Sequence, residues 1–244
     1  MKIRIDINAD LGEGTGLDEM IMPLVSSCSI ACGGHFGDSE SMKRAVVLAK
    51  KHRVKVGAHP SFSDKDNFGR ILLTLTKSEL TESVFHQLLH FYTICEIEDI
   101  PIHHIKLHGA LYNYAAIDAP TADAVVEAIV ATKIRPNLYV PYHSILAKKA
   151  ENLLPLTYEA FIDRRYNDDL SLVSRTSENG IIHSAVAAWT QLYEIISTGF
   201  ITTISGQKKE MKASTFCIHS DHENSVQILK YIRAQLVKYN IDLK

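Results

Sequence analysis

The chain has 244 residues, 46% hydrophobic and 22% charged, with a formal net charge of −2. That length fits one domain, residues 1–244, and that composition excludes a disordered chain and a coiled coil. With 26 basic against 28 acidic residues, no positive field exists to draw nucleic acid or an anionic membrane.

Short apolar runs recur, each ending in a polar tip and followed by a helical pattern. The run 3–7 leads to Asn8 and Asp10, and 27–32 leads to His35. Ser39-Glu40-Ser41-Met42 then opens a predicted helix to about His52. The run 54–58 leads to His59. Thr76 and Glu79 form a capping-box pattern before a helix reaching about Glu98. The run 103–107 leads to His108, and 120–132 is Ala/Val-rich and helical. The runs 138–140, 158–162 and 216–218 lead to His143, Asp163 and His219, with helices predicted over 184–198 and 223–239. The stretches 175–180 and 206–212 read as polar connections or hairpins. Alternating strands and helices imply a parallel α/β sheet. Seven or eight units in this length fit a closed β/α barrel, with an open doubly wound sheet as the alternative.

The four cysteines, Cys28, Cys32, Cys95 and Cys217, form neither a CxxC pair nor a zinc-finger spacing, and read as buried small hydrophobes. The first ten residues lack the apolar core of a signal peptide. No stretch approaches the roughly 20 apolar residues of a membrane span. A reduced, cytoplasmic setting is expected.

In a β/α barrel the strand C-termini converge on the face that carries the site. His35, His59, His108 and His219 would share that bowl with Asp10, Asp163 and Asp221. His52, His86 and His90 fall in helices, and His103 and His104 open a strand at the far end. His143 and His183 carry a weaker signal. The glycines at 12, 14 and 16 match no standard nucleotide motif. Asp10, His35 and His59 have the composition of a divalent metal site, without a recognised ligand spacing. Lys106 and His108 are two apart and face the same way. A lysine inside a barrel needs a counter-charge, for which Asp10 or Asp163 would serve. In Asp163-Arg164-Arg165-Tyr166 one guanidinium could clamp an anion and the other is surface.

Seven segments taken in order resemble the LamB/YcsF family. They are Asn8-Ala9-Asp10-Leu11-Gly12-Glu13, Ile30-Ala31-Cys32-Gly33-Gly34-His35, Gly57-Ala58-His59-Pro60, Phe68-Gly69-Arg70, Lys106-Leu107-His108-Gly109-Ala110-Leu111-Tyr112-Asn113, Asp163-Arg164-Arg165-Tyr166 and Ile218-His219-Ser220-Asp221. The resemblance implies a distorted (β/α)7-type barrel similar to the carbohydrate-deacetylase barrels. It also implies the A subunit of an ATP-dependent 5-oxoprolinase, working with subunits B and C, with ATP and Mg acting in the complex. Departures from the family pattern include Gly34, Phe36, Ser39, Ser61-Phe62-Ser63 and Ile71.

On that reading Asp10, with His35 or His59, is the general base. Lys106 and His108 stabilise an oxyanion or phosphate. Arg164 or Arg70 binds the substrate carboxylate, and Asp163 orients Arg164 or Lys106. His219 or Asp221 protonates the leaving nitrogen. Asn8, Glu13, Tyr112 and Asn113 complete the substrate-binding set. The rival readings are a metal-dependent amide hydrolase and a non-catalytic ligand-binding subunit.

Overall fold

The computed structural model describes residues 3–244. The elements run β1 (Arg4–Leu11), α1 (Asp18–Ile21), β2 (Ser27–Ala31), α2 (Ser39–His52), β3 (Lys55–His59), α3 (Lys77–Ile97), β4 (Ile102–Lys106), α4 (Gly109–Ala115), α5 (Ala119–Ala131), β5 (Asn137–Pro141), α6 (Ile145–Ala150) and β6 (Leu156–Phe161). They continue with α7 (Ala185–Thr198), β7 (Phe200–Thr202), β8 (Lys208–Glu210), β9 (Thr215–His219), α8 (Ser225–Lys238) and β10 (Asp242–Leu243).

Strands β1 to β6 pair in parallel in chain order, and β9 lies between β6 and β1. The β1–β9 ladder closes a seven-stranded parallel barrel among the described residues, so the open sheet is excluded. β10 pairs only with the first residues of β1, below the closure. β7 and β8 form an antiparallel hairpin whose turn holds Gly206 at φ +84°. The stretch 175–180 forms no strand among the described residues.

Local signals start the helices. Thr76 and Glu79 form the expected reciprocal cap of α3, and Asp38 and Ser41 do the same for α2. β1 is longer than its apolar run suggested, so Asn8 and Asp10 sit within the strand. Its alternation sends Ile5, Ile7, Ala9 and Leu11 to one face and Asp6, Asn8 and Asp10 to the other. The apolar face joins the core shared with the helices.

The barrel interior is polar where Val, Ile and Leu usually fill it. Asp6 is buried and accepts hydrogen bonds from the hydroxyls of Ser26 (2.7 Å), Ser27 (2.6 Å) and Thr215 (2.6 Å). Just above, His104 bonds to Ser29 at 3.1 Å and stacks on Tyr139 at 4.0 Å. Its ring lies against Gly57, where a Cβ would be 2.3 Å from Nε2. Only glycine fits there. His104 is thus a buried part of the lower barrel, as its place early in the strand predicted.

Candidate active site

Above that layer the Lys106 ammonium is buried in the centre of the barrel. It donates to Asp10 Oδ1 (2.8 Å), Asn8 Oδ1 (3.2 Å) and Cys217 Sγ (2.8 Å), and lies 3.2 Å from Glu159 Oε1. Burial alone would lower its pKa, but Asp10 and its other neighbours hold it well above the usual range. Burial likewise favours a neutral Asp10, yet the charges of His59 and Lys106 keep its carboxyl well below the usual range. Asn8 donates to Glu159 (2.8 Å) and Thr215 (2.7 Å), so its amide is spent on this framework.

The C-terminal ends of β1, β3 and β4 carry the next layer. His59 Nε2 lies 3.4 Å from Asp10 Oδ2 and 3.0 Å from His108 Nδ1. His35 stacks on His108 with ring centroids 3.7 Å apart, and its Nε2 lies 3.0 Å from Glu13 Oε1. Glu13, His35, His59 and His108 are buried, and their ligand-capable atoms lie within 4.8 Å of one another. This cluster has the composition and spacing to bind a metal ion. Burial pushes the His35 imidazole down to about 4. Burial would raise Glu13, but the adjacent His108 and His35 imidazoles hold its carboxyl well below the usual range.

The loop between β3 and α3 covers this cluster. Phe68 packs edge-on to His35 and His108. Gly69, at φ +62°, comes so close that a Cβ there would sit 2.9 Å from the His35 Cβ. Across the mouth, Asp163 accepts from the His219 amide (2.9 Å) and Nδ1 (2.8 Å). Burial opposes the Asp163 charge, but His219 brings its pKa down to about 2.

Residues 5–244 match the LamB/YcsF family. The chain belongs to that family. It is 37% identical to the A subunit of 5-oxoprolinase from Haemophilus influenzae (strain PittEE), over 98% of both chains. It superposes on the lactam utilization protein from Thermus thermophilus with a TM-score of 0.92 and 32% identity, covering 99% of each chain. A family 4 carbohydrate esterase from Streptomyces lividans shares the barrel alone, at TM-score 0.51 and 8% identity, over 98% of this chain and 91% of that one.

The LamB/YcsF motif residues do not form one site. Asp10, Glu13, His35, His59, Lys106 and His108 come together, with Asn8 beneath them. Asp163 orients His219; the expected partners, Arg164 and Lys106, are bonded elsewhere. Arg164 is not poised as an anion clamp. Its guanidinium donates to the Val173 (2.6 Å) and Gly180 (3.3 Å) carbonyls and holds the 164–181 loop. Asp221 pairs with Arg70 and with Arg175 (3.0 Å), which leaves it no free role as a proton donor. Tyr112 and Asn113 line a separate cavity of about 350 Å³ with Tyr142, His143, Glu159 and Phe161.

Glu159, Cys217 and Arg175 were missed. For Glu159 the signal was present: strand alternation from Asp163 inward puts Phe161 and Glu159 on the same face. The Gly34 departure has a physical reason. Gln87 fills the place of a side chain, 2.4 Å from where a Cβ would start, and clamps the Ser61 backbone.

Proposed function

We propose that this chain is the A subunit of an ATP-dependent 5-oxoprolinase, opening the lactam of 5-oxo-L-proline to L-glutamate with subunits B and C. The observation that carries this reading is the buried Lys106–Asp10–His59 relay at the strand ends. It sits in a chain whose full-length relatives bear that name.

5-Oxoproline is an unstrained amide, so its opening needs a better leaving arrangement than water alone provides. Phosphorylation of the lactam oxygen by ATP gives one. Water then adds to that carbon, the ring C–N bond breaks with a proton delivered to nitrogen, and a second water hydrolyses the resulting γ-glutamyl phosphate to glutamate and inorganic phosphate. ATP with Mg belongs to the assembled complex, and B and C carry the phosphorylation. A divalent ion on this chain belongs to the same reading.

Asp10, backed by His59, takes the proton from water; it needs hydrogen-bond reach to that water. Lys106 supplies fixed positive charge toward the oxygen where charge develops, and His108, its pKa lowered by burial, positions His59 beside it. His219, held by Asp163, delivers the proton to nitrogen. Of the two arginines considered, Arg70 is the one whose side chain reaches solvent, and it receives the substrate carboxylate. The setting is cytoplasmic; among the described residues no helix is long and apolar enough to cross a membrane.

Glutamate release from 5-oxoproline with ATP and Mg²⁺ tests the reading, with this chain alone and then with B and C. Release only from the mixture is expected. No release from three folded proteins together would overturn it.

A further inference from the structure

We infer that Glu13, His35, His59 and His108 form a resident site for one transition-metal dication of the zinc class. The site differs from the metal set expected from the sequence: Glu13 and His108 enter, and Asp10 moves to the flank.

The hydrogen bonds around the imidazoles carry the inference. His59 Nδ1 lies 2.8 Å from the Lys106 carbonyl oxygen, which can only accept. That nitrogen therefore bears a proton, and the neutral ring has its lone pair on Nε2. His108 Nε2 lies 2.9 Å from the Phe68 carbonyl oxygen, so its lone pair is on Nδ1. These two lone-pair nitrogens face each other at 3.0 Å. Something positive must lie between or beside them. Anchoring a ligating imidazole through its other nitrogen is also how metal-binding histidines are held.

The spacing fits an ion. Four tetrahedral ligands about 2.0–2.1 Å from zinc lie roughly 3.3–3.4 Å apart. Glu13 Oε1 is 3.0 Å from His35 Nε2, 3.3 Å from His108 Nδ1 and 3.7 Å from His59 Nε2. These three separations bracket that value; all four ligand atoms lie within 4.8 Å of one another, and His35, stacked parallel on His108, turns to complete the tetrahedron.

Charge decides between a proton and a dication. Asp6, Asp10, Glu13, Glu159 and Asp163 are buried, against Lys106 and Arg164 as the buried lysine and arginine among the described residues, before any proton on His59 is counted. A single shared proton would leave a large uncompensated negative charge in the interior, which is costly. A dication offsets more of it. Three imidazoles and one carboxylate suit zinc, manganese, iron or cobalt and disfavour magnesium or calcium, which take oxygen ligands. A bound dication would supply Lewis-acid polarisation of an oxygen at the barrel mouth.

The test uses the full chain, treated with chelator, dialysed and titrated with zinc or cobalt chloride. The expected result is uptake of about one ion per chain, with the visible absorption of tetrahedral cobalt. His108→Ala and Glu13→Gln should weaken uptake at least about 100-fold, while the exposed His86→Ala leaves it unchanged. Circular dichroism reports whether each variant is folded. The wild-type titration is decisive even if the variants fail. Wild-type protein that is folded and takes up neither ion overturns the site and leaves a shared proton between His59 and His108. A chain that binds zinc yet releases no glutamate with B and C keeps the site and loses the reaction.

Discussion

On the β1–β4 side of the barrel mouth, three imidazoles and the carboxylates of Asp10 and Glu13 crowd together through contacts of 3.0–3.7 Å. On the β5–β6 side lies a cavity of about 350 Å³, walled by Ala116, Ile117, Phe161, Leu172 and Met211. The first side has reactive groups and little room. The second has room, and its walls mix apolar side chains with tyrosine hydroxyls, Asn113, His143 and Glu159. Glu159 spans the two, with one oxygen on Lys106 and the residue itself lining the cavity. On the reading proposed above, the chemistry falls to the first side and the lactam to the second, joined through one ion network.

Breaking the joint should have the largest effect. Lys106→Met leaves Asp10 and Glu159 buried without their shared cation. Removing one partner of a buried pair typically costs about 3–5 kcal/mol. Urea unfolding should show a loss of that size, partly restored in Lys106→Met/Glu159→Gln. A loss under about 1 kcal/mol would mean that the two sides are not coupled through Lys106.

Disabling the reactive side alone comes next. Asp10→Asn keeps the shape and removes the proton acceptor. Glutamate release in the reconstituted mixture should fall at least about 100-fold, with circular dichroism showing that the variant, in which Glu159 still faces Lys106, remains folded. Near wild-type turnover would remove Asp10 from the base role.

Asp163 offers a milder, pH-dependent break. Its carboxyl titrates at about 2 in the folded protein, and at about 3.9 in an unfolded chain. The folded value is depressed, so this group's stabilisation is fully present above about pH 4 and disappears as pH falls through about 2. It amounts to roughly 2.6 kcal/mol. Asp163→Asn should therefore be less stable than wild type by about that amount at pH 5, with the gap closing toward pH 2. A gap that stays constant over this range would show that hydrogen-bond geometry, not ionisation, holds His219.

The fold was legible because its signals are local. Thr76 and Glu79 cap α3 where they stand in the sequence, and the strand runs carry their own periodicity. The histidine bowl was legible because each residue follows a strand end. Partnership was not. Asp163 was expected to orient Arg164, its chain neighbour, or Lys106, and instead binds His219 at the end of the adjacent strand β9. Arg164 reads as an anion clamp until its Nη2 and Nε are seen to donate to the Val173 and Gly180 carbonyls. Which charge meets which depends on strand register, and register comes from the closed barrel. The three short helices α1, α4 and α6 were also missed, since four to seven residues show too little periodicity to separate from a loop.

The smallest expected effect tests the holding side. Tyr112 and Glu159 are both buried, and the Tyr112 Oη and Glu159 Oε2 atoms have no hydrogen-bond partner among the described residues. Burial, with Glu159 beside it, keeps the Tyr112 phenol protonated, its pKa well above the usual range. The pair thus offers one donor and one acceptor on the cavity wall, the complement of an amide's C=O and N–H. Tyr112→Phe deletes the donor and leaves the wall intact. A net hydrogen bond contributes about 0.5–1.5 kcal/mol, so KM for 5-oxoproline should rise up to about tenfold while kcat changes little. If kcat falls and KM holds, Tyr112 acts in the transition state, and the cavity belongs to the reactive side after all.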